Sequence, residues 1–301
     1  MFEYAVEQRV HEIGNTKIGG KPGINPTVLI GSIFYSGDKL VKNAKEGTID
    51  VSRTETLLNA LVDVSSATGL QSMLDVVAES PEAIEKHLRH LVDVTDMPLL
   101  VDGSGSEEVN LAGIQAAREG GFLDRVILNS ITPDTSTTTL EKFHKLGVKH
   151  AVALTFSNDA MASSAKRLDL AEILLDNATK AGIENVIVDT GVIDLLTLGL
   201  ACKALRMIKD KLGVPVGCGA HNAVSTWSGL VPKFGKDAKK PAFVGSILMP
   251  VTLGADFVLY GPIKHAPILF PSVAMIDVAL SGVLLETRTR VDREHPRYRI
   301  A

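Results

Sequence analysis

The stretch "PLLVDGSGSEEVNLAGIQAAREGGFLDRVILNS", residues 98–130, decides the fold. A short apolar segment at 98–102 is followed by a run of helical periodicity at 107–121 that closes on glycine, and then by a second apolar segment at 125–130. An apolar run, an amphipathic helix and another apolar run are typical of a β/α/β unit, in which the two strands lie parallel in one sheet.

The same alternation continues along the chain. The predicted strands are 27–34, 72–78, 98–102, 125–130, 150–156, 185–189, 214–218 and 256–261. The predicted helices are 51–69, 80–94, 107–121, 136–147, 165–182, 195–213, 241–254 and 271–290. Start and stop signals support them: Ser80 and Pro81 suit the N-cap and first position of the second helix, and several helices end on glycine.

Eight strand–helix pairs in one chain predict an α/β fold, a (β/α)8 TIM barrel that forms a single domain over residues 1–301. An open doubly wound sheet is the alternative, but the first strand ends in "GSIFYSG" and lacks the G-x-G-x-x-G spacing. The first 25 or so residues alternate apolar and polar side chains around glycines, which predicts an N-terminal β-hairpin across the bottom of the barrel.

The composition excludes several classes of protein. The chain has 301 residues, 45% of them hydrophobic and 22% charged, with a formal net charge of -4. The acidic balance argues against a nucleic-acid-binding protein. We find no run of about 18 apolar residues and no signal-peptide pattern, so no membrane segment is expected. Only Cys202 and Cys218 are present, which excludes a disulfide framework and predicts a cytoplasmic protein.

The candidate site lies at the carboxyl ends of the strands, where TIM barrels carry their active sites. Polar and small residues follow the third, fourth, sixth and seventh strands, the last in "VPVGCGAHNAVSTW" (214–227): Asp102, Asn129, Ser130, Asp189, Gly217, Gly219, His221 and Asn222. Carboxylates accept paired N–H groups and amides both donate and accept, so together they predict a cup for a flat, nitrogen-rich ring. The glycines would let that ring approach the backbone.

Each of these side chains also has a structural interpretation. Asp102 could cap the following helix, Asn129 could satisfy loop backbone groups, and His221 could bind a backbone carbonyl instead of acting as a general acid. Asp189 follows an apolar strand that is expected to be buried, and a buried charge requires a partner. Their shared position at strand ends is therefore the main argument that these residues form a site.

Two other kinds of site are not supported. The C-x-x-H pair in "CGAH" is too small a ligand set for zinc, because Cys202 lies on a distant helix and His265 has no acidic or sulfur neighbour in the sequence. No metal is therefore expected. The chain also lacks the G-x-S-x-G motif of serine hydrolases.

Five segments together resemble the H-subunit family, which comprises the methyl-transferring component of tetrahydromethanopterin S-methyltransferase and bacterial methylcorrinoid:tetrahydrofolate methyltransferases. They span nearly the whole chain and are "KIGGKPGINPTVLIGSIFYSGDKLV" (17–41), "PLLVDGSG" (98–105), "RVILNSI" (125–131), "VIVDTGV" (186–192) and the stretch 214–227. "NSI" and "VDT" are shared more loosely with all pterin-binding barrels, including dihydropteroate synthase.

The resemblance implies an enzyme that moves a methyl group between the cobalt of a corrinoid and N5 of a reduced pterin. It implies that Asn222 is catalytic and hydrogen-bonds N5, where a neutral amide can serve both protonation states by exchanging its donor and acceptor ends. It also implies that Asp102, Asn129 and Asp189 hold the pyrimidine edge. The complete implied pterin site is Asp102, Asn129, Ser130, Asp189, Gly217, Gly219 and Asn222.

The resemblance also implies the partners. Tetrahydrofolate is the expected carrier, because nothing in the sequence suggests a membrane complex, with tetrahydromethanopterin as the alternative. The chain lacks the D-x-H-x-x-G signature of a cobalamin-binding module, so the corrinoid is expected on a separate protein that docks over the barrel mouth. The basic segment 232–241 is either part of that contact or a solvated loop. A homodimer is expected.

Two further functions stay open at this point. A dihydropteroate-synthase-like enzyme would need a lysine or arginine pair around a pyrophosphate, and "VDTGVIDLL" supplies none. A non-catalytic protein would bind the pterin or the corrinoid partner without turnover.

Overall fold

Eight parallel strands close into a barrel in the computed structural model, which describes residues 2–301. In chain order the strands are β1 (Val10–Ile13), β2 (Thr16–Gly19), β3 (Val28–Ile33), β4 (Val41–Asn43), β5 (Thr48–Ile49), β6 (Ser72–Val77), β7 (Leu99–Asp102), β8 (Val126–Ile131), β9 (His150–Leu154), β10 (Asn185–Asp189), β11 (Val216–Cys218) and β12 (Phe257–Pro262). The barrel order is β10-β11-β12-β3-β6-β7-β8-β9. The TIM barrel prediction is confirmed, and the open sheet is excluded.

Helices follow the barrel strands and form the outer ring. They are α1 (Val51–Thr68), α2 (Pro81–Val94), α3 (Glu107–Glu119), α4 (Thr137–Leu146), α5 (Ser164–Lys180), α6 (Leu195–Leu212), α7 (Asn222–Ser225), α8 (Leu230–Phe234), α9 (Lys239–Thr252) and α10 (Ala266–Val283). The predicted cap of α2 is confirmed, since the Ser80 side chain accepts from the Ala83 N–H.

The last helix differs most from its predicted boundaries. The last helix begins at Ala266 instead of residue 271, because Pro267 occupies its first turn, where the missing proline N–H costs no hydrogen bond. The same helix ends at Val283 instead of residue 290. The segment 232–241 is partly helical, since α8 ends and α9 begins within it.

The barrel interior is filled by alternate residues of the strands. Its apolar cluster consists of Ile13, Ile18, Val28, Ile30, Met73, Leu100, Ile127, Val152, Ile187, Phe257 and Leu259. Ile13 and Ile18 belong to the β1–β2 hairpin, which pairs antiparallel, so the predicted hairpin packs into one end of the barrel. A second cluster lies between the sheet and the helices.

A buried ion pair lies close to the hairpin. Lys209 Nζ lies 2.6 Å from both carboxylate oxygens of Asp256. The same ammonium donates to the carbonyl of Gly20, directly after β2, and Asp256 accepts from the N–H of Val216 at the start of β11. These bonds connect the hairpin to the amino end of the barrel, and the opposite mouth stays open.

The expectation that no segment could cross a membrane needs correction. Ile263–Val283 is long and apolar enough to do so by length and composition, with 39% of its apolar window buried. The sequence hides this because Asp277 interrupts the apolar run. In the structure this segment is the outer helix of the last β/α unit. It packs against α1 and α9, and Asp277 accepts from Thr27.

Candidate active site

The interior of the barrel changes from apolar to polar toward its carboxyl mouth. Side chains two residues apart face the same side of a strand. Leu100 is therefore followed toward the mouth by Asp102, and Ile127 by Asn129. The same alternation produces an apolar plug and, on its mouth side, a polar layer that includes Asp102 and Asn129. This polar layer is called the floor of the site.

A cavity of about 880 Å³ opens above this floor. Its lining contains all the candidate residues predicted from the sequence except Gly217: Asp102, Asn129, Ser130, Asp189, Gly219, His221 and Asn222. Leu154, Phe156, Val192 and Ile193 provide an apolar wall. The structure thus brings side chains from separate strand ends to one hollow.

Gly217 is placed differently from the expectation. It lies within β11, paired with Asp189 on one side and Phe257 on the other. A Cβ atom at this position would meet the backbone and ring of Phe257. Packing between strands therefore accounts for this glycine, whereas Gly219 does line the cavity.

The floor contains a carboxylate that the sequence interpretation did not identify. Asp75 lies in β6 and is 4% exposed. It accepts from Ser32 Oγ at 2.8 Å and from Asn129 Nδ2 at 3.0 Å. Ser32 is its direct partner on β3. The signal was an aspartate inside the apolar strand "SMLDVV", since buried aspartates almost always have a structural or functional partner.

Burial raises the pKa of all three floor carboxyls. It raises the pKa of Asp75 to about 7, with a further contribution from the Asp102 carboxylate. It raises the pKa of Asp189 to about 6, against hydrogen bonds from the backbone N–H groups of Gly191 and Gly219. Desolvation likewise raises the pKa of Asp102. The floor therefore carries titratable protons near neutral pH.

The local bonds of Asp102 exclude its interpretation as a helix cap. Its Oδ1 accepts from the Ser104 N–H at 2.7 Å, which closes the turn after β7. The following helix is capped by Ser106 instead. Asp102 is therefore not the helix cap, and its second carboxylate oxygen is available to the cavity.

A buried positive charge lies near Asp189 but makes no direct salt bridge with it. Arg167 on α5 is 1% exposed, and its positive charge acts on Asp189. The guanidinium donates to the carbonyls of Ala160 and Met161, so it also holds the β9–α5 loop. Arg167 does not line the cavity. Its charge lowers the free-energy cost of burying the Asp189 carboxylate without entering the cavity.

The two site asparagines present the same atom to the cavity. Asn129 donates through Nδ2 to Asp75, and Asn222 donates through Nδ2 to the carbonyl of Val192 at 3.0 Å. An ionised carboxylate or a carbonyl oxygen can only accept, so each amide nitrogen faces its partner when Asp75 is ionised. Each carbonyl oxygen is left without a donor among residues 2–301. The two amide oxygens thus add hydrogen-bond acceptors to those of the carboxyl groups on the floor.

His221 is held by the backbone. Its Nδ1 lies 3.1 Å from the Leu259 carbonyl and must donate to it. Burial lowers the pKa of His221, so the ring is neutral at pH 7 and Nε2 carries no proton. The backbone contact expected under the structural interpretation of this residue is present.

The charged side chains that line the cavity are of one sign. Besides the floor carboxyls, Glu107 and Asp134 lie at the rim, and no lysine or arginine of residues 2–301 belongs to the lining. Within the same residues, no group of three or more His, Cys, Asp or Glu side chains could hold a metal ion. The cavity suits a ligand rich in N–H donors and not an anion.

Comparison with known proteins decides the family. A sequence profile described as the tetrahydromethanopterin S-methyltransferase MtrH subunit matches residues 6–291. The chain belongs to this family. The corresponding subunit of the Methanothermobacter thermautotrophicus enzyme is 35% identical to this MtrH family member, with 100% of both chains covered. The corresponding Methanosarcina acetivorans subunit is 34% identical, with 98% of each chain covered.

Solved structures show the fold that this MtrH family member shares. Yersinia pestis dihydropteroate synthase with a pterine-sulfa conjugate matches with a TM-score of 0.64 at 12% identity, over 90% of this chain and 99% of that one. The Xanthomonas albilineans enzyme in complex with 7,8-dihydropteroate matches with a TM-score of 0.57 at 16% identity, over 93% and 99%. At this identity the likeness concerns the barrel alone.

Proposed function

We propose that the protein is a methyltransferase that moves a methyl group between N5 of a reduced pterin and the cobalt of a corrinoid carried by a separate protein. The observation that carries the proposal is the set of carboxylate and amide acceptors on the floor of the cavity, in a chain of the MtrH family. The relatives are named as methyltransferases of tetrahydromethanopterin, a reduced pterin.

The pyrimidine edge of a reduced pterin is complementary to this floor. It carries a ring N–H and a 2-amino group, which donate side by side. Asp102, Asp189 and the carbonyl oxygen of Asn129 offer acceptors without a competing cation in the lining. Hydrogen bonds to carboxylates are stronger than neutral ones, so these contacts supply both affinity and orientation.

Asn222 is proposed to act at N5. Its amide is oriented by Val192, so its carbonyl oxygen can accept a hydrogen bond from a protonated N5. This stabilises the protonated amine, which is the better leaving group when the methyl group departs to cobalt. In the opposite direction N5 attacks the methyl group with its lone pair, the cobalt keeps the electron pair of the broken bond, and a proton is lost afterwards. The sequence predicted that Asn222 would use both its donor and its acceptor end at N5. Because its amide nitrogen is held by Val192, the structure supports the accepting role.

The corrinoid protein is proposed to dock over the mouth. Methyl, nitrogen and cobalt must be aligned for displacement, which requires an open entrance. The basic segment beside the mouth offers a contact surface: Phe234 is 62% exposed and its ring lies 6.0 Å from that of Trp227. Lys233 and Lys236 flank it. An exposed aromatic residue among lysines fits a protein partner better than a purely solvated loop.

A homodimer is proposed through the outer face of α9 and α10. Met249 and Met275 are 39% and 54% exposed on these two helices, which pack side by side. Within α10 the charged side chain is Asp277, and it points inward to Thr27. An apolar face of this kind is usually covered in oligomers.

The dihydropteroate-synthase-like alternative fits the fold but not the site. Its substrate carries a pyrophosphate, and the lining of the cavity provides carboxylates where cations would be needed. The choice of carrier is tested directly: the relatives' names favour tetrahydromethanopterin, whereas the sequence interpretation favours tetrahydrofolate.

The test uses the purified chain, methylcobalamin and either carrier, with the cobalt absorbance recorded over time. We expect enzyme-dependent demethylation, which converts methylcob(III)alamin to cob(I)alamin, with at least one carrier. Binding of a carrier without any spectral change, even when a corrinoid protein is supplied, would support the non-catalytic alternative instead.

A further inference from the structure

Asp75 has no assigned task in the site described above, although it lies at its centre. It faces the barrel interior from β6, and both its carboxylate oxygens are engaged, one by Ser32 and one by Asn129. Asn129 reaches it from β8, across the intervening strand β7, where Asp102 is the direct partner of Asn129. The three side chains Asp75, Asp102 and Asn129 therefore form one unit on the floor.

The hydrogen bond between Asp75 and Asn129 determines which end of the amide the ligand meets. An ionised carboxylate cannot donate, so the Asn129 NH2 group must point to Asp75. The carbonyl oxygen then points away from Asp75, and no donor among residues 2–301 engages it. If this amide turned over, the same position would present a donor and would repel an N–H group of the ligand.

The geometry points to Asp75 as a positioning residue that determines specificity: it fixes the Asn129 amide so that the cavity accepts a heterocycle with an amino group at that position and rejects one with a carbonyl oxygen. This inference rests on the proposed function, because the ligand it describes is a reduced pterin. It adds the reason why a 2-amino pterin would be preferred to a 2-oxo analogue of the same shape. A site built around one hydrogen-bonding pattern rejects the mismatched isostere strongly, because the mismatch leaves buried polar groups unpaired.

Protonation of Asp75 supplies an independent control of the same switch. A carboxylic acid can donate to the Asn129 carbonyl oxygen, which frees the amide to turn. Burial raises the pKa of Asp75 to about 7, so this change falls within an accessible range. The groups that face Asp75 are the carboxyls of Asp102 and Asp189, the Ser32 hydroxyl and the Asn129 amide.

The experiment is calorimetric titration of the full chain with tetrahydrofolate and with its 2-oxo analogue, in which a carbonyl oxygen replaces the 2-amino group. If only tetrahydromethanopterin binds, the corresponding pair of that carrier is used. The wild type is expected to prefer the amino compound by about 100-fold or more. In Asp75→Asn, which keeps the size of the side chain and can donate to Asn129, the preference is expected to fall below about 10-fold.

Ser32→Ala is the matched variant. It removes the other hydrogen bond of Asp75, which had lowered the pKa of that carboxyl, and leaves the bond to Asn129. At pH 8.5, where Asp75 is ionised, the preference is therefore expected to stay at the wild-type level. A purely structural role for Asp75 would lower affinity for both ligands alike in both variants.

The wild type also provides a test without substitution. Its preference is expected to be smaller at pH 6.5 than at pH 8.5. This fall in preference at acidic pH should be smaller in Asp75→Asn. Because Asp189 titrates in both proteins, the difference between wild type and variant isolates the contribution of Asp75.

The inference is overturned if Asp75→Asn keeps the wild-type preference, or if the wild type binds the amino and oxo compounds equally. Those results leave the proposed function standing. Failure of the wild type to bind either carrier would instead overturn the proposed function and this inference together.

Discussion

The side-chain nitrogen of Asn222 donates to the carbonyl oxygen of Val192 at 3.0 Å, which joins the segment after β11 to the loop after β10. Thr226 Oγ1 makes a second connection between the same segments, to the Ile193 carbonyl at 3.0 Å. Asn222 lines the cavity and Thr226 does not. The two residues therefore allow the chemical role of the amide to be separated from its role in holding the loops.

Asn222→Ala is expected to slow methyl transfer by roughly 10- to 100-fold, about 1–3 kcal/mol of barrier, because the protonated N5 loses an acceptor in a largely dry site. Carrier affinity should change less than the rate. Single-turnover kinetics from the cobalt absorbance measure both. Thr226→Val is the control and should keep the wild-type rate. Wild-type rates in Asn222→Ala would remove Asn222 from the mechanism.

Asp189→Asn is expected to weaken binding of the reduced pterin by about tenfold or more, because a charge-assisted pair of hydrogen bonds becomes a mismatched one. The amide nitrogen would face the pterin N–H groups or disturb the Gly191 and Gly219 N–H bonds. Titration calorimetry measures the affinity. Asp169→Asn, on the exposed face of α5, is the matched surface control. Unchanged affinity in Asp189→Asn would count against its assignment.

Asp75→Asn is expected to alter how stability depends on pH. The pKa of Asp75 in the folded protein, about 7, lies above its ordinary value of 3.8. A raised pKa stabilises the fold at low pH, and that stabilisation is lost as pH rises through 7. Its full size is on the order of 4 kcal/mol.

Thermal denaturation of both proteins from pH 4.5 to 8.5 measures this difference. Relative to the variant, the wild type should be most stable at the acidic end and lose that advantage by pH 8. A difference in melting temperature that stays constant with pH would show that Asp75 does not carry the proton.

The Lys209–Asp256 pair is expected to matter for stability and not for catalysis. Lys209→Met leaves the Asp256 carboxylate buried without its partner, and such changes cost about 3–5 kcal/mol. Urea denaturation measures the loss. The double variant Lys209→Met, Asp256→Leu should recover part of it, since neither charge is then buried. A single variant as stable as the wild type would show that the pair does not hold the hairpin end of the barrel.

Met275→Asp is expected to dissociate the proposed homodimer, because it places a charge in the middle of the apolar α9–α10 face. Light scattering coupled to size exclusion gives the mass. Asp63→Asn, on the exposed face of α1, serves as a control. A wild-type chain that is monomeric at all concentrations, or a variant that remains dimeric, would contradict this interface.

The fold was predictable because its pattern is local. Apolar runs and helical periodicity identify each strand and helix, and Ser80 marks one helix start correctly. The start of the last helix was predicted at residue 271 because Pro267 and Pro271 both suit a first turn. Only packing against α1 and α9 decides between them. Boundaries of this kind depend on tertiary contacts.

The site was predictable only in part, since strand ends do not tell how far down the barrel the polar layer extends. Asp102, Asn129 and Asp189 lie at or near the ends of their strands and were found. Asp75 lies before the end of β6, and its role appears only through the register that sets it beside Ser32 and within reach of Asn129. Gly217 lies outside the cavity lining, and the sequence does not show that Phe257 fills the space beside it.

The most direct test of the account is a crystal structure of the protein with a bound reduced pterin. We expect the pyrimidine N–H groups within about 3 Å of Asp189 and the Asn129 carbonyl oxygen, and N5 at a similar distance from the Asn222 carbonyl oxygen. A pterin bound outside this cavity, or one with N5 turned away from Asn222, would contradict it.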